Sequence, residues 1–325
     1  MTLSKTQLEA VAFYDQHYQV IFDSSLNEGR PVKLSDPEDE KGRICRFCGL
    51  GKPEVTFKNV AHAVPEFLAN KSLVSMNECD TCNEFLAHKY EDDLAKWFGP
   101  MRSVSQMKGK KGVPTYKNEN VRIGMGSKGL EIGIVTEDLE SHLKFDGPFT
   151  FTMPVATPSQ PFVPINAAKA LIKTACSLCP PELLNECKPA IDWLMERALA
   201  NMSMFPVLFA FTPGPMPYGD GKVLLLKRKS HDEYPFIWCI IATANYRFQF
   251  FVPFCPSDAW MMKGKSAQLN MHHFPDVFGD KWPHGKTCFG NFDWSGKEPI
   301  VKEQSFSFHV ESIKKNEIPP ASNSK

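Results

Sequence analysis

Four cysteines in two Cys-x-x-Cys turns, Cys45/Cys48 and Cys79/Cys82, are the residues whose type and spacing imply chemistry most directly. Each turn aims two thiolates at one point, and four thiolates close a tetrahedral shell around Zn²⁺. Such a shell leaves no open coordination position. The zinc expected here is therefore structural, replacing the apolar core that a small module lacks. The span between the turns carries a single histidine, His62, and an asparagine, Asn83, follows the fourth cysteine directly. The turns lie farther apart than in a plain zinc ribbon, whose gap is about 15–20 residues.

The elements around these residues can be read from the pattern. Val55–Val60 alternates well enough to predict an extended segment ending at His62, and Pro65 then breaks the ladder. Leu73–Met76 predicts a second short strand leading into the second knuckle. Asp80 or Thr81 is expected to cap a helix whose apolar stripe is Leu86, Tyr90, Leu94, Trp97 and Phe98, and Gly99-Pro100 stops it. The order is β, β, α, with one knuckle before the hairpin and the other before the helix.

The Cys-x-x-Cys, His, Cys-x-x-Cys-Asn order over Cys45–Phe98 resembles the HNH (His-Me finger) endonucleases, especially the zinc-stapled branch that includes phage junction-resolving nucleases. It is also similar to bacterial HNH proteins in which AHA-hydrophobic-PE and ECDTCN segments precede a larger domain. The resemblance implies that His62 is the general base activating water against a phosphodiester. It implies that Asn83 is a ligand, through its amide oxygen, of a catalytic Mg²⁺ or Mn²⁺. Many members place an acid just before the histidine as a second ligand, but here that position is Ala61. The substitutes in reach are Glu66, Asp80, Glu84, His88, Glu91 and Asp92. On a regular helix Glu91 stands about 80° from Asn83 and two turns on, whereas His88 stands about 140° away. Glu91 is the preferred substitute and His88 the second.

For the whole chain the resemblance implies a metal-dependent endonuclease acting on DNA, duplex or junction. The setting it suggests is bacterial defence against phage or plasmids, with the larger domain regulating or targeting the cutter in response to an activating protein or a small-molecule trigger. The competing reading is a zinc-stapled module that grips nucleic acid or protein without cutting.

Composition bounds these readings. The 325 residues balance 37 Lys+Arg against 37 Asp+Glu, so any nucleic-acid surface must be a local patch. The most basic window is 101–118, where Arg102, Lys108, Lys110, Lys111 and Lys117 have no acid among them. A solvated linker and a phosphate-contacting strip are both open for it. No unbroken apolar run suits a signal peptide or a membrane span, so a cytoplasmic protein without membrane contact is expected. Paired Cys-x-x-Cys in such a chain argues for metal over disulfides, and the other cysteines are expected as buried thiols.

Length favours two domains. Residues 1–24 read as an amphipathic helix and 25–43 as a polar connector, giving an N-terminal segment over 1–44. The HNH module with its basic linker covers 45–118, an α+β C-terminal domain 119–313, and a tail 314–325. In that domain short strands follow Val121, a helix covers Asn166–Ala175 and another Pro181–Asn201. Strand-like runs follow at Phe205–Thr212, Lys222–Lys229, Ile237–Ala242, Phe248–Phe254 and Phe306–Val310. The fold class expected is α+β: a zinc-stapled ββα module, then a larger domain with a mixed, largely antiparallel β-sheet and a helix pair on one face. Gly124-x-Gly126-x-x-Gly129 has the letters of a dinucleotide fingerprint, but strand-forming residues follow where a helix must open. Cys176-x-x-Cys179, the His272, His273, Asp276 and His284 group, and the aromatic set Phe248, Phe250, Phe251, Phe254 and Trp260 read as packing.

Overall fold

The chain changes from helix to strand within its first 25 residues. A computed structural model describes residues 4–38, 42–109, 112–127, 129–135, 144–147, 150–152, 155–198, 207–230, 234–262, 272–275, 278 and 282–306. Helix α1 (Lys5–His17) opens with a capping box, the Ser4 hydroxyl accepting from Gln7 N and the Gln7 side chain accepting from Ser4 N. The helix expected over 1–24 ends at His17. Tyr18-Gln-Val-Ile-Phe favours a strand and becomes β1 (Tyr18–Ser25), which pairs antiparallel with β12 (Lys222–Arg228). The expected connector also contains a strand, β2 (Val32–Leu34).

The main sheet has six antiparallel strands in the order β1, β12, β13 (Ile237–Thr243), β14 (Tyr246–Phe251), β11 (Val207–Phe211) and β15 (Cys288–Gly290). Its side chains alternate between two packed faces. On one face Tyr14 and Tyr18 meet Leu226, Trp238, Ile240 and Phe251 under α1. On the other, Val223, Leu225, Ile237, Cys239, Ile241, Phe248 and Phe250 join a large core. A strand covered on both faces becomes apolar throughout, which is why β13 reads IWCIIAT. The helix pair, α5 (Pro164–Leu178) and α6 (Leu184–Leu194), contributes to that same core. Proline opens α5 at its first turn, and α6 stops well short of the expected Asn201.

The cysteine-bearing segment packs against this body. Strand β4 (Leu73–Ser75) lies between β2, which is parallel to it, and β3 (Ala61–His62), which is antiparallel. The strand expected over Val55–Val60 does not form. The Asp80 carboxylate accepts from Lys58 N at 3.0 Å, from Asn59 N at 2.8 Å and from the Thr56 hydroxyl, gathering that stretch into a loop. The helix after the second knuckle comprises α2 (Asp80–Leu86), a π turn (Ala87–Glu91) and α3 (Asp92–Phe98). Its N-cap is Cys79, one residue before the caps expected, and its apolar stripe is wholly buried. Gly99, at φ +52°, ends it, and α4 (Met101–Val104) follows at once, so the basic window starts as helix.

Beyond α4 the chain forms a three-stranded meander, β5 (Tyr116–Lys117), β6 (Val121–Gly126) and β7 (Gly129–Ile134). Gly126 and Gly129 face each other across the β6–β7 turn, a hairpin and no nucleotide loop. Two further pairs complete the fold: β8 (Lys144–Gly147) with β9 (Thr150–Thr152), and β10 (Val155–Pro158) with β16 (Glu303–Phe306). The last strand lies earlier than the expected Phe306–Val310, whose end falls outside the described residues. The architecture is α+β with several small sheets around one large antiparallel one.

Candidate functional site

The two knuckles meet as the sequence requires. The Sγ atoms of Cys45, Cys48, Cys79 and Cys82 all lie within 4.8 Å of one another, a cluster where a zinc ion could bind. Cys45 N donates to Leu50 O, and Gly49, at φ +74°, donates to Cys45 O, which closes the first turn. The second turn is the start of α2, where Asn83 N donates to Cys79 O. Cys79 N reaches Cys45 Sγ at 3.4 Å, and the Cys48 and Cys79 sulfurs are 3.8 Å apart. A hydrogen bond to Cys82 pulls the Cys45 thiol down to about 5, while burial pushes Cys79 up to about 12. Burial and the bonds between the sulfurs hold the Cys79 and Cys82 thiols protonated, so a cation binding there must displace those protons.

His62 and Asn83 border a common cavity of about 310 Å³, together with Val60, Glu66, Phe67, Glu91, Arg102 and Gly109. His62 comes from β3, Glu66 from a single 3₁₀ turn (Glu66–Leu68), Asn83 from α2, Glu91 from the end of the π turn and Arg102 from α4. The π turn explains how Glu91 arrives. It adds one residue to the turn, so Glu91 stands where the seventh residue after Asn83 would stand on a regular helix. That offset is about 20°, not the 80° of an unbroken helix.

His62 Nε2 lies 3.9 Å from Glu66 Oε2, whereas its buried Nδ1 has no hydrogen-bond partner among the described residues. A buried ring nitrogen without a partner is costly unless a bound molecule satisfies it. Burial lowers the His62 pKa, opposed by Glu66 and reinforced by Lys173. The Arg102 guanidinium packs over the Phe67 ring at 5.1 Å, and its buried Nε has no hydrogen-bond partner among the described residues.

Beneath the cavity lies a charged group that sequence reasoning missed. Lys173 of α5 donates to His62 O at 2.8 Å and lies 3.2 Å from both Glu78 Oε2 and Glu91 Oε1. The Lys173 and Glu78 side chains are 1 % and 0 % exposed. Burial works to lower the Lys173 pKa, but the two carboxylates outweigh it and hold the ammonium charged. Burial raises Glu78 to about 7 against the pull of Lys173.

The other candidates fall elsewhere. His88 is exposed on the π turn and does not line the cavity. Glu84 is exposed, Asp92 pairs with Lys96 at 2.7 Å, and Asp80 is committed to the 56–59 loop. Lys108 is exposed beside Gly109, and Lys110 and Lys111 lie outside the described residues. The His272 group does not assemble as a metal cluster: among the described residues the four cysteines are the sole set of three or more converging His, Cys, Asp or Glu donors. Asp276 of that group lies outside the described residues. Among the described residues no helix is long and apolar enough to cross a membrane. Comparison with protein-family models, with curated proteins and with solved structures returns no match.

Proposed function

We propose that the chain is a metal-dependent phosphodiesterase of the HNH type, a DNA endonuclease whose hairpin and helix are held together by a structural zinc on Cys45, Cys48, Cys79 and Cys82. The observation that carries this reading is the meeting of His62, Asn83, Glu91 and Arg102 around one cavity. A neutral His62 takes the proton from an attacking water. Arg102, with no carboxylate paired to it among the described residues, holds the phosphate oxygens by charge and by its planar set of donors. The Asn83 amide oxygen and the Glu91 carboxylate are hard oxygen donors suited to Mg²⁺ or Mn²⁺. Such an ion, when bound, stabilises the charge that develops on the phosphate and the leaving 3′-oxygen. Glu91 thus takes the part that the missing acid at Ala61 would play. The partner in this reading is cytoplasmic DNA, duplex or junction, in bacterial defence, with a trigger acting on the C-terminal half.

One observation favours the competing reading, a zinc-held module that grips nucleic acid without cutting. The donors of His62, Glu66 and Glu91 do not converge as the cysteines do. Plasmid nicking with Mg²⁺ or Mn²⁺, comparing the protein with His62→Ala, decides between them. Cutting predicts relaxed plasmid from the wild type and a rate at least about 10²-fold lower from the variant. Supercoiled plasmid left intact by both proteins with every activator supports the non-cutting module.

A further inference from the structure

Lys173 is 111 residues from His62 in the chain, on a helix belonging to the C-terminal half, yet it touches the backbone of one cavity residue and the side chain of another. We propose that Lys173 is a positioning residue of the cavity: it fixes the His62 carbonyl and the Glu91 carboxylate, with Glu78 as its buried counter-charge. This rests on the reading of the cavity as a metal-dependent phosphodiesterase site.

Three observations support it. Strand β3 is only two residues long and pairs with β4 alone, so the ladder by itself holds His62 weakly. The Lys173 bond at 2.8 Å gives its carbonyl a further anchor from outside the sheet's own strands. Glu91 ends a π turn, and its ion-pair partner comes from α5. Lys173 lies 3.2 Å from Oε1 of this carboxylate, and Glu91 borders the cavity. Glu78, fully buried, lies in contact with Lys173 and does not line the cavity, as expected of a residue present to balance charge. A buried ion pair adds little to stability over an apolar replacement, so its geometric effect is the more informative one. The carboxylates and ammonium form a rigid base beneath the two residues that would handle the proton and the ion.

The experiment compares wild type, Lys173→Met and Lys173→Met/Glu78→Gln. The single variant leaves Glu78 buried without a cation and can fail to fold. The double variant keeps the buried charge balanced, so it separates positioning from folding. Zinc content and melting temperature report the fold, Mn²⁺ titration followed by electron paramagnetic resonance reports the ion, and plasmid nicking gives kcat and KM. The expected double variant keeps one zinc per chain and melts within a few degrees of wild type. It binds Mn²⁺ about 10–100-fold more weakly, as loss of a ligand-orienting partner does. Its kcat falls about 10²-fold with KM changed far less. A folded, zinc-loaded double variant with wild-type Mn²⁺ affinity and kcat overturns the inference. If wild type does not nick but its Mn²⁺ affinity still depends on Lys173, positioning stands and cutting falls. If wild type binds no Mn²⁺, both fall.

Discussion

At the residue scale the proposed general base is His62. Its imidazole is lowered below the ordinary histidine value, first by burial and then by Lys173 and Lys71, with Glu66 and Glu91 pulling the other way. A lower pKa enlarges the neutral fraction at any given pH, and the neutral form is the base. A bound divalent cation acts in the same direction. The acid limb of kcat/KM for nicking should therefore lie below about pH 6.5, the value of an unperturbed histidine. A pH–rate profile with Mn²⁺ measures it, and an acid limb at or above that value would remove His62 as the base. The cysteine cluster was legible in the sequence because a tetrahedral thiolate site demands one residue type at short spacings, while His62 and Asn83 were singled out by resemblance and border one cavity. Lys173 was not legible: it reads as one polar position in an apolar helix, and its partners come from remote parts of the chain.

At the element scale two features shape the site, the zinc knuckles and the π turn. The knuckles tie the 45–51 turn to the start of α2, and Arg46 within the first turn donates to the carbonyls of Cys176, Ser177 and Cys179 at 2.8–3.0 Å. Cys82→Ser should release the zinc and loosen both contacts. A loss of several kcal/mol in a chain of this size corresponds to a fall of about 10 °C or more in melting temperature, readable by calorimetry beside metal analysis. Retention of zinc and of the wild-type melting temperature would show that the cluster is not a metal site. The π turn makes a separate prediction. Deleting the exposed His88 removes the extra residue, restores a regular helix and leaves Glu91 in phase with Asn83. The deletion should keep its zinc, melt no lower than wild type and nick at a similar rate. A loss of about 10²-fold in nicking would instead make His88 part of the machinery. The helix itself was legible from the spacing of Leu86, Tyr90, Leu94, Trp97 and Phe98. The π turn was not, because one added residue leaves the apolar stripe buried while moving the polar face by about 100°. The strand expected at Val55–Val60 was lost to a side chain, since alternation says nothing about the hydrogen bonds that Asp80 offers.

At the scale of the whole molecule the question is whether the cysteine-bearing segment can work alone. Its core is continuous with that of the C-terminal half. Trp97 packs against Phe209, Phe248 and Trp294 with ring centroids 5.3, 5.5 and 5.1 Å apart, and Phe98 meets Tyr246 at 5.1 Å. The Tyr90 hydroxyl donates to Leu194 O at 2.6 Å. Strand β1, from the first residues of the chain, completes the main sheet through β12. A fragment of residues 1–118 would expose Tyr90, Trp97 and Phe98 and leave β1 without its partner. Uncovering three such side chains costs roughly 1.5–3 kcal/mol each. That sum rivals the stability of a whole domain, about 5–15 kcal/mol. Lys173 would be lost as well, stranding Glu78 without a cation. The fragment should therefore aggregate or bind a hydrophobic dye without a cooperative melt, and should not nick plasmid even with zinc and Mn²⁺ supplied. A soluble, zinc-loaded fragment that melts cooperatively and cuts without restraint would instead make the C-terminal half a detachable regulator. The packing favours a shared structure in which α5, through Lys173, contacts two residues that border the cavity.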